Sequence, residues 1–254
     1  MTDGKPNLNG VWQVMNSANY DLLAHASSSA LATMPGPYGT VPAAEVLALG
    51  AVGAVPGGAS VVDGNEIPYQ PGARDRQQEN KANWLQRDPE IKCYLPGVPR
   101  ATYLPHPFQI FHSDNSLFFA YAFAGATRNI YLEDPGEAPA DSWMGQSYGW
   151  WEDDTLVVEV TSQNDRTWFD RSGNYHSDAL KVTERYTPKG PNVLLYEATI
   201  EDASVYTRPW TIRMPLYRRV GADAELYQFK CMEFVEELMY GHLRKEPLRE
   251  FEDD

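Results

Sequence analysis

From residue 108 onward, apolar and polar positions alternate with a period of two, the repeat of a strand with one face buried. In 117–123, Leu117, Phe119, Tyr121 and Phe123 share a face opposite Phe118, Ala120 and Ala122. Both faces are apolar, which predicts a central strand covered on both sides. In 181–186, Val182, Glu184 and Tyr186 oppose Lys181, Thr183 and Arg185. In 210–216, Trp210, Ile212, Met214 and Leu216 fall together and read as core. The pattern predicts strands at 108–113, 117–123, 128–132, 147–152, 155–162, 180–187, 193–201, 209–219 and 225–234. Asp114-Asn115 and Asp153-Asp154 suit tight hairpins, and residues 188–191 a longer one. Many short strands at close spacing predict a mainly β fold, an antiparallel β-barrel that closes to remove its edges.

The first hundred residues differ. Residues 8–15 read as a first strand. Its Gly10-Val11-Trp12 resembles the Gly-x-Trp opening of lipocalin-like and calycin-like barrels, where the tryptophan plugs one end. Residues 24–72 are rich in Ala, Gly, Pro and Ser, with a short helix predicted at 43–49. Residues 73–88 lack Gly and Pro and predict a helix that Pro89 ends. Four prolines between 93 and 107 predict a stiff, extended loop. A short helix is expected at 234–243. The whole chain, 1–254, reads as one barrel domain. Its main sheet spans 108–234. The stretch 24–88 forms an arm or lid, which also offers a homodimer contact.

Composition narrows the function classes. Aromatics reach 12%, with seven Trp and fifteen Tyr, which favours strands and supplies flat walls for apolar ligands. The net charge of −14 repels phosphate backbones, so nucleic acid is not an expected partner. No run reaches the roughly 18 apolar residues of a membrane span. The polar start (Met-Thr-Asp-Gly-Lys-Pro-Asn) lacks the pattern of a signal peptide, so a cytoplasmic location is expected. Cys93 and Cys231 form no CxxC or Cys/His cluster. They read as two reduced thiols, with a disulfide as the alternative.

Nucleotide, serine-hydrolase and zinc signatures are missing. The five histidines show no ligand spacing, so no metal and no cofactor is expected. The densest polar segment is 163–178. There Asp165, Asp170, His176 and Asp178 offer a His–carboxylate pair for proton transfer near neutrality. The other reading is a loop capped by its own Asn, Asp and Ser side chains. Glu184, set among apolar neighbours, is either a pocket acid or base or the partner of an arginine on an adjacent strand, with Arg213 as the candidate. His176, Asp165 and Glu184 are thus the candidate catalytic residues. Tyr103, His106, Arg128, Tyr148, Trp150, Trp168 and Trp210 are the candidate substrate-binding residues.

Several segments together resemble a widespread family of uncharacterised bacterial β-rich proteins. They are 64–69 (Gly-Asn-Glu-Ile-Pro-Tyr), 92–100 (Lys-Cys-Tyr-Leu-Pro-Gly-Val-Pro-Arg), 143–145 (Trp-Met-Gly), 154–158 (Asp-Thr-Leu-Val-Val), 164–170 (Asn-Asp-Arg-Thr-Trp-Phe-Asp), 176–180 (His-Ser-Asp-Ala-Leu) and 182–186 (Val-Thr-Glu-Arg-Tyr). The resemblance implies no established activity. It implies that many relatives are exported, with cysteines at the positions of Cys93 and Cys231. This chain departs at Trp150, where a cationic residue is usual, and at Asp153, where glycine is. An apolar wall in place of a charge suits a hydrophobic substrate. The expected function is cofactor-independent acid–base catalysis (lyase, isomerase, cyclase or hydratase) on a mostly hydrophobic small molecule in a barrel pocket. The alternative is a non-catalytic binding protein for the same kind of ligand.

Overall fold

The fold was analysed in a computed structural model that describes residues 4–30, 33–43, 54–113, 116–221, 224–227, 229 and 231. Residues up to 25 and from 58 to 231 form one compact unit. In this unit nine strands close a barrel, as the alternation predicts. They are β1 (Gly10–Gln13), β4 (Phe108–His112), β5 (Leu117–Tyr121), β6 (Thr127–Tyr131), β7 (Gln146–Glu152), β8 (Thr155–Thr161), β9 (Lys181–Gly190), β10 (Val193–Glu201) and β11 (Trp210–Arg218). Around the barrel the order is β1, β11, β10, β9, β8, β7, β6, β5, β4 and back to β1. All pairs are antiparallel except β6 with β7, where Ile130 faces Ser147 and Tyr131 faces Tyr148. The mostly exposed stretch 132–145 makes that crossover, returning the chain to the end where β7 starts.

In the second unit, the described residues of 26–57 hold a hairpin, β2 (Thr33–Gly36) with β3 (Gly39–Pro42), and a bridge between Ser28 and Val55. The sequence pattern did not anticipate this hairpin. The helices expected at 43–49 and 234–243, and the Asp114-Asn115 turn, lie outside the described residues. The strand expected at 225–234 does too in large part. Its described residues contribute one bridge, Phe123 with Phe229. No helix among the described residues is long and apolar enough to cross a membrane.

Alternation carries through to packing. Val182, Glu184 and Tyr186 on β9 and Leu194, Tyr196, Ala198 and Ile200 on β10 all point inward, each 0–1% exposed. The Gly-x-Trp segment has a local physical reason. Trp12 is fully buried and donates its indole N–H to the Leu8 carbonyl at 3.0 Å. The Arg218 guanidinium lies 4.4 Å from the Trp12 ring centroid, a cation–π contact. A Cβ on Gly10 would stand 2.6 Å from Arg218 Nη1, and Gly10 holds φ +141°. Only glycine lets the arginine lie across that strand.

The predicted helix 73–88 divides at Asn83 into α1 (Ala73–Ala82) and α2 (Trp84–Arg87). Helix α1 seats against Gly173, where a Cβ would meet Lys81 N at 2.7 Å and the Gln77 carbonyl at 2.8 Å. The 93–107 loop is not extended throughout. Residues Arg100–Tyr103 form a short helix, α3, whose four side chains are buried. Its Arg100 fills a recess and forks onto Asp88 (2.7 and 2.9 Å), Glu90 (2.7 Å) and Asn19 (2.8 Å). Arg171 closes on Glu90 at 3.0 Å. This satisfied network ties the segment after β1, the α2–α3 connection and the 162–180 loop over one end of the barrel. The two cysteines are not free thiols. Cys93 and Cys231 form a disulfide with Cα atoms 5.5 Å apart.

Candidate functional site

Among the described residues, the barrel interior holds one charged pair. Arg128 on β6 and Glu184 on β9 are both essentially unexposed, and Arg128 Nη2 donates to Glu184 Oε2. Arg128 Nε donates to Ser147 Oγ on β7 at 2.7 Å. The other carboxylate oxygen, Oε1, accepts from Tyr186 at 2.9 Å and from Tyr196 at 2.7 Å. Burial works against the Arg128 charge, but the Glu184 carboxylate together with the Tyr121 and Tyr186 phenols lifts Arg128 above its ordinary range. Burial pushes the Tyr121, Tyr186 and Tyr196 hydroxyls up, so they stay protonated. Glu184 thus meets an arginine, as one reading expected, but the partner is Arg128 and not Arg213. Arg213 points outward to Glu197 at 2.7 Å and Asp63 at 3.4 Å.

Three buried polar atoms around this pair have no hydrogen-bond partner among the described residues: Arg128 Nη1, Tyr121 Oη and Thr102 Oγ1. They come from β6, β5 and α3. The Tyr121 hydroxyl neighbours both Arg128 and Thr102, each of which favours its ionised form against the effect of burial. Buried donors without acceptors are rare in folded proteins.

The expected catalytic trio is not brought together. Asp165 is exposed in the 162–180 loop. His176 is fully buried in the same loop. Its Nδ1 lies 2.8 Å from the Ser177 carbonyl, so it carries the proton, and Nε2 accepts from the Thr167 hydroxyl at 2.6 Å. Burial pulls its pKa below the ordinary value and keeps the ring neutral. Neither Asp165 nor Glu184 is hydrogen-bonded to it, and both ring nitrogens are committed to holding the loop.

Of the expected substrate-binding residues, only Arg128 belongs to the interior cluster. Tyr103 is buried on α3 and donates to the Phe169 carbonyl at 2.8 Å. His106 is half-buried, stacked on Phe229 at 4.2 Å, with Nδ1 3.3 Å from the Tyr227 hydroxyl. Trp168 is buried in the loop, where it bridges to Tyr175. Trp210 points inward, edge-on to Phe169 and Tyr206, with its indole nitrogen unpartnered. Tyr148 and Trp150 meet as a tilted ring pair with centroids 5.5 Å apart on the outer face of β7, and Trp150 donates to Glu152 at 3.1 Å. Trp151, its neighbour, faces inward and stacks on His112. A depression of about 740 Å³ beside β5 and β6, lined by Leu117, Phe118, Ile130 and Tyr131 among others, holds none of the expected site residues.

Sequence reasoning missed Thr102, Tyr121, Ser147, Tyr186 and Tyr196 as site residues. For the three tyrosines the signal was present, since they share inward faces with apolar neighbours. Asp170, one of the loop carboxylates offered for the His176 pair, is not hydrogen-bonded to His176. This fully buried carboxyl accepts from the Leu22 N–H at 2.9 Å and the Asn174 side chain at 2.6 Å. Burial, then the Asp21 charge, raises it from 3.8 to about 7. The native state therefore holds more protons than the unfolded chain between those values. Stability is expected to fall as pH rises through that window. Glu90 has the opposite sign. Against its own burial, Arg171 and Arg100 bring it from 4.5 down to about 2, so its contribution is present above 4.5 and lost as pH falls toward 2. A ¹³C NMR titration should find the Asp170 carboxyl moving near pH 7. Urea midpoints should decline from pH 5 to 7.5. A flat midpoint with Asp170 ionised at pH 5 would overturn this.

Compared with protein-family models, with curated proteins and with solved structures, the chain finds no match.

Proposed function

We propose that this protein binds a small, mostly hydrophobic molecule inside the barrel, with the molecule's polar end at the Arg128–Glu184 cluster. One observation carries the reading. Beside the buried Arg128–Glu184 pair, among apolar and aromatic side chains, three polar atoms have no hydrogen-bond partner among the described residues. Phe108, Phe119, Tyr186 and Tyr196 are all unexposed there, so an occupant displaces side chains or water as it enters.

Binding is favoured over acid–base catalysis because His176 is committed elsewhere and Glu184 is saturated with donors. One arrangement supports the catalytic reading as the second choice. Two phenols share one carboxylate oxygen, which is a route for a proton between Tyr186, Glu184 and Tyr196. The Cys93–Cys231 disulfide supports an oxidising compartment over the expected cytoplasmic one.

The test uses N-phenyl-1-naphthylamine as probe. Native mass spectrometry of the full chain is expected to show one probe per chain, with saturable quenching of tryptophan fluorescence. Only free protein, or non-stoichiometric adducts, rules the reading out.

A further inference from the structure

We infer that the outer face of strands β4 to β7 binds a neutral oligosaccharide whose sugar rings carry their hydroxyls equatorially. This face is separate from the interior cluster, so the inference goes beyond the reading above. An aromatic ribbon runs across it. Phe111 on β4, Phe118 on β5, Tyr131 on β6, and Tyr148 and Trp150 on β7 all point outward. Register joins them: Phe111 is the cross-strand partner of Phe118, and Tyr131 of Tyr148. The Phe111 and Phe118 ring centroids lie 6.0 Å apart, and those of Tyr148 and Trp150 5.5 Å. Neighbouring strands are about 4.8 Å apart, so the ribbon is roughly 14 Å long. Phe111 and Tyr131 are 46% and 47% exposed, which leaves their rings open to a ligand.

One end of the ribbon is held in place. Trp150 donates its indole N–H to Glu152 Oε1 at 3.1 Å, and Arg185 Nη2 lies 2.8 Å from Glu152 Oε2. Val157 is the cross-strand neighbour of both Trp150 and Arg185, and it is 1% exposed although it lies on the outer face. The tryptophan therefore has a packed floor on one side and a fixed polar anchor at its edge. A ring already positioned loses little freedom when a ligand stacks on it.

The surroundings select the ligand. The depression of about 740 Å³ beside β5 and β6 continues the ribbon, since Phe118 and Tyr131 line it too. Ser116, Asn129 and Glu133 also line it, and they bring hydrogen-bond donors and acceptors. An open, partly polar surface cannot enclose a wholly apolar molecule, which needs most of its area buried. A sugar ring needs less. Its C–H face stacks on an aromatic ring while its equatorial hydroxyls stay at the wet rim. Charge removes other flat ligands. The chain carries −14 and Glu133 stands at the depression, so anions are repelled. An ammonium group is recognised by rings that converge on one point. These rings lie side by side across four strands, which fits a long, flat, neutral molecule.

The probe is cellopentaose, titrated into the full chain by calorimetry and followed by saturation-transfer NMR. Saturable binding is expected, with the strongest transfer to the axial C–H protons of the sugar. Trp150→Ala and Tyr131→Ala should each weaken it roughly tenfold while keeping the parent's circular dichroism. Tyr131→Ala leaves the Trp150–Glu152–Arg185 arrangement untouched, so it tests the ribbon even where Trp150→Ala disturbs the fold. No binding at millimolar cellopentaose overturns the inference, as does unchanged affinity in both variants. Tighter binding of tetramethylammonium than of cellopentaose overturns it in favour of a cation site. Sedimentation that finds the parent dimeric and both variants monomeric overturns it in favour of a contact between copies of the chain. Displacement of cellopentaose by N-phenyl-1-naphthylamine would mean one shared site and would end the claim of a separate outer one.

Discussion

Replacing Arg128 with methionine is expected to lower the unfolding free energy by about 3–5 kcal/mol, because it leaves the Glu184 charge buried and alone. Glu184 would keep the Tyr186 and Tyr196 hydroxyls on one oxygen, but the other would lose its Arg128 donor. Against a typical total of about 5–15 kcal/mol, such a variant stands near the edge of folding. The double variant Arg128→Met/Glu184→Leu is expected to recover most of that loss, since it removes both charges and returns apolar volume. Urea unfolding of the two variants separates the causes. Equal losses in both would mean that lost packing, and not the unpaired carboxylate, is responsible.

Removing the disulfide is expected to cost a comparable amount. Cys93 and Cys231 are 138 residues apart, and the bond encloses strands β4 to β11. On the chain-entropy account, opening a loop of that length costs about 5 kcal/mol, and measured losses of native disulfides run at about 2–5 kcal/mol. The Cys93→Ser/Cys231→Ser protein should unfold at a clearly lower urea concentration than the oxidised parent. The parent in dithiothreitol should move to match it. Coincident curves for oxidised and reduced parent would show that the unfolded chain gains nothing from the freed tether.

The inward faces of β9 and β11 were legible because a strand's side chains alternate without exception. Glu184 could be placed inside a barrel from six residues of sequence. Its partner could not. Alternation identifies a face, and strand order identifies neighbours, but Arg128 reaches Glu184 through the interior from a strand that is not adjacent to β9. Arg213, the partner expected from sequence, sits two strands from β9 and points the other way. Thr102 was hidden for a local reason. A four-residue helix between prolines has no periodicity to read, and its burial comes from its place at the barrel's end. His176 shows the opposite error. A polar loop rich in His, Asp and Asn looks the same in sequence whether it performs chemistry or holds itself together. The Thr167–His176–Ser177 bonds answer that question only in three dimensions. The charged knot around Arg100 was likewise invisible, because its members lie in four separate stretches of chain.

The lone parallel pair, β6 with β7, follows from arithmetic more than from chemistry. Around a ring, neighbours can alternate in direction without a defect only if their number is even. Nine is odd, so at least one junction must run the same way. No substitution in β6 or β7 can remove it, since the mismatch would simply appear elsewhere. Only a change in parity can. A segment of strand-forming sequence grown into the exposed 132–145 crossover, and inserted between β6 and β7, would make ten strands and let every neighbour alternate. The crossover is therefore the place where this barrel can be enlarged, by the chain's evolution or by an engineer, in whole-strand steps.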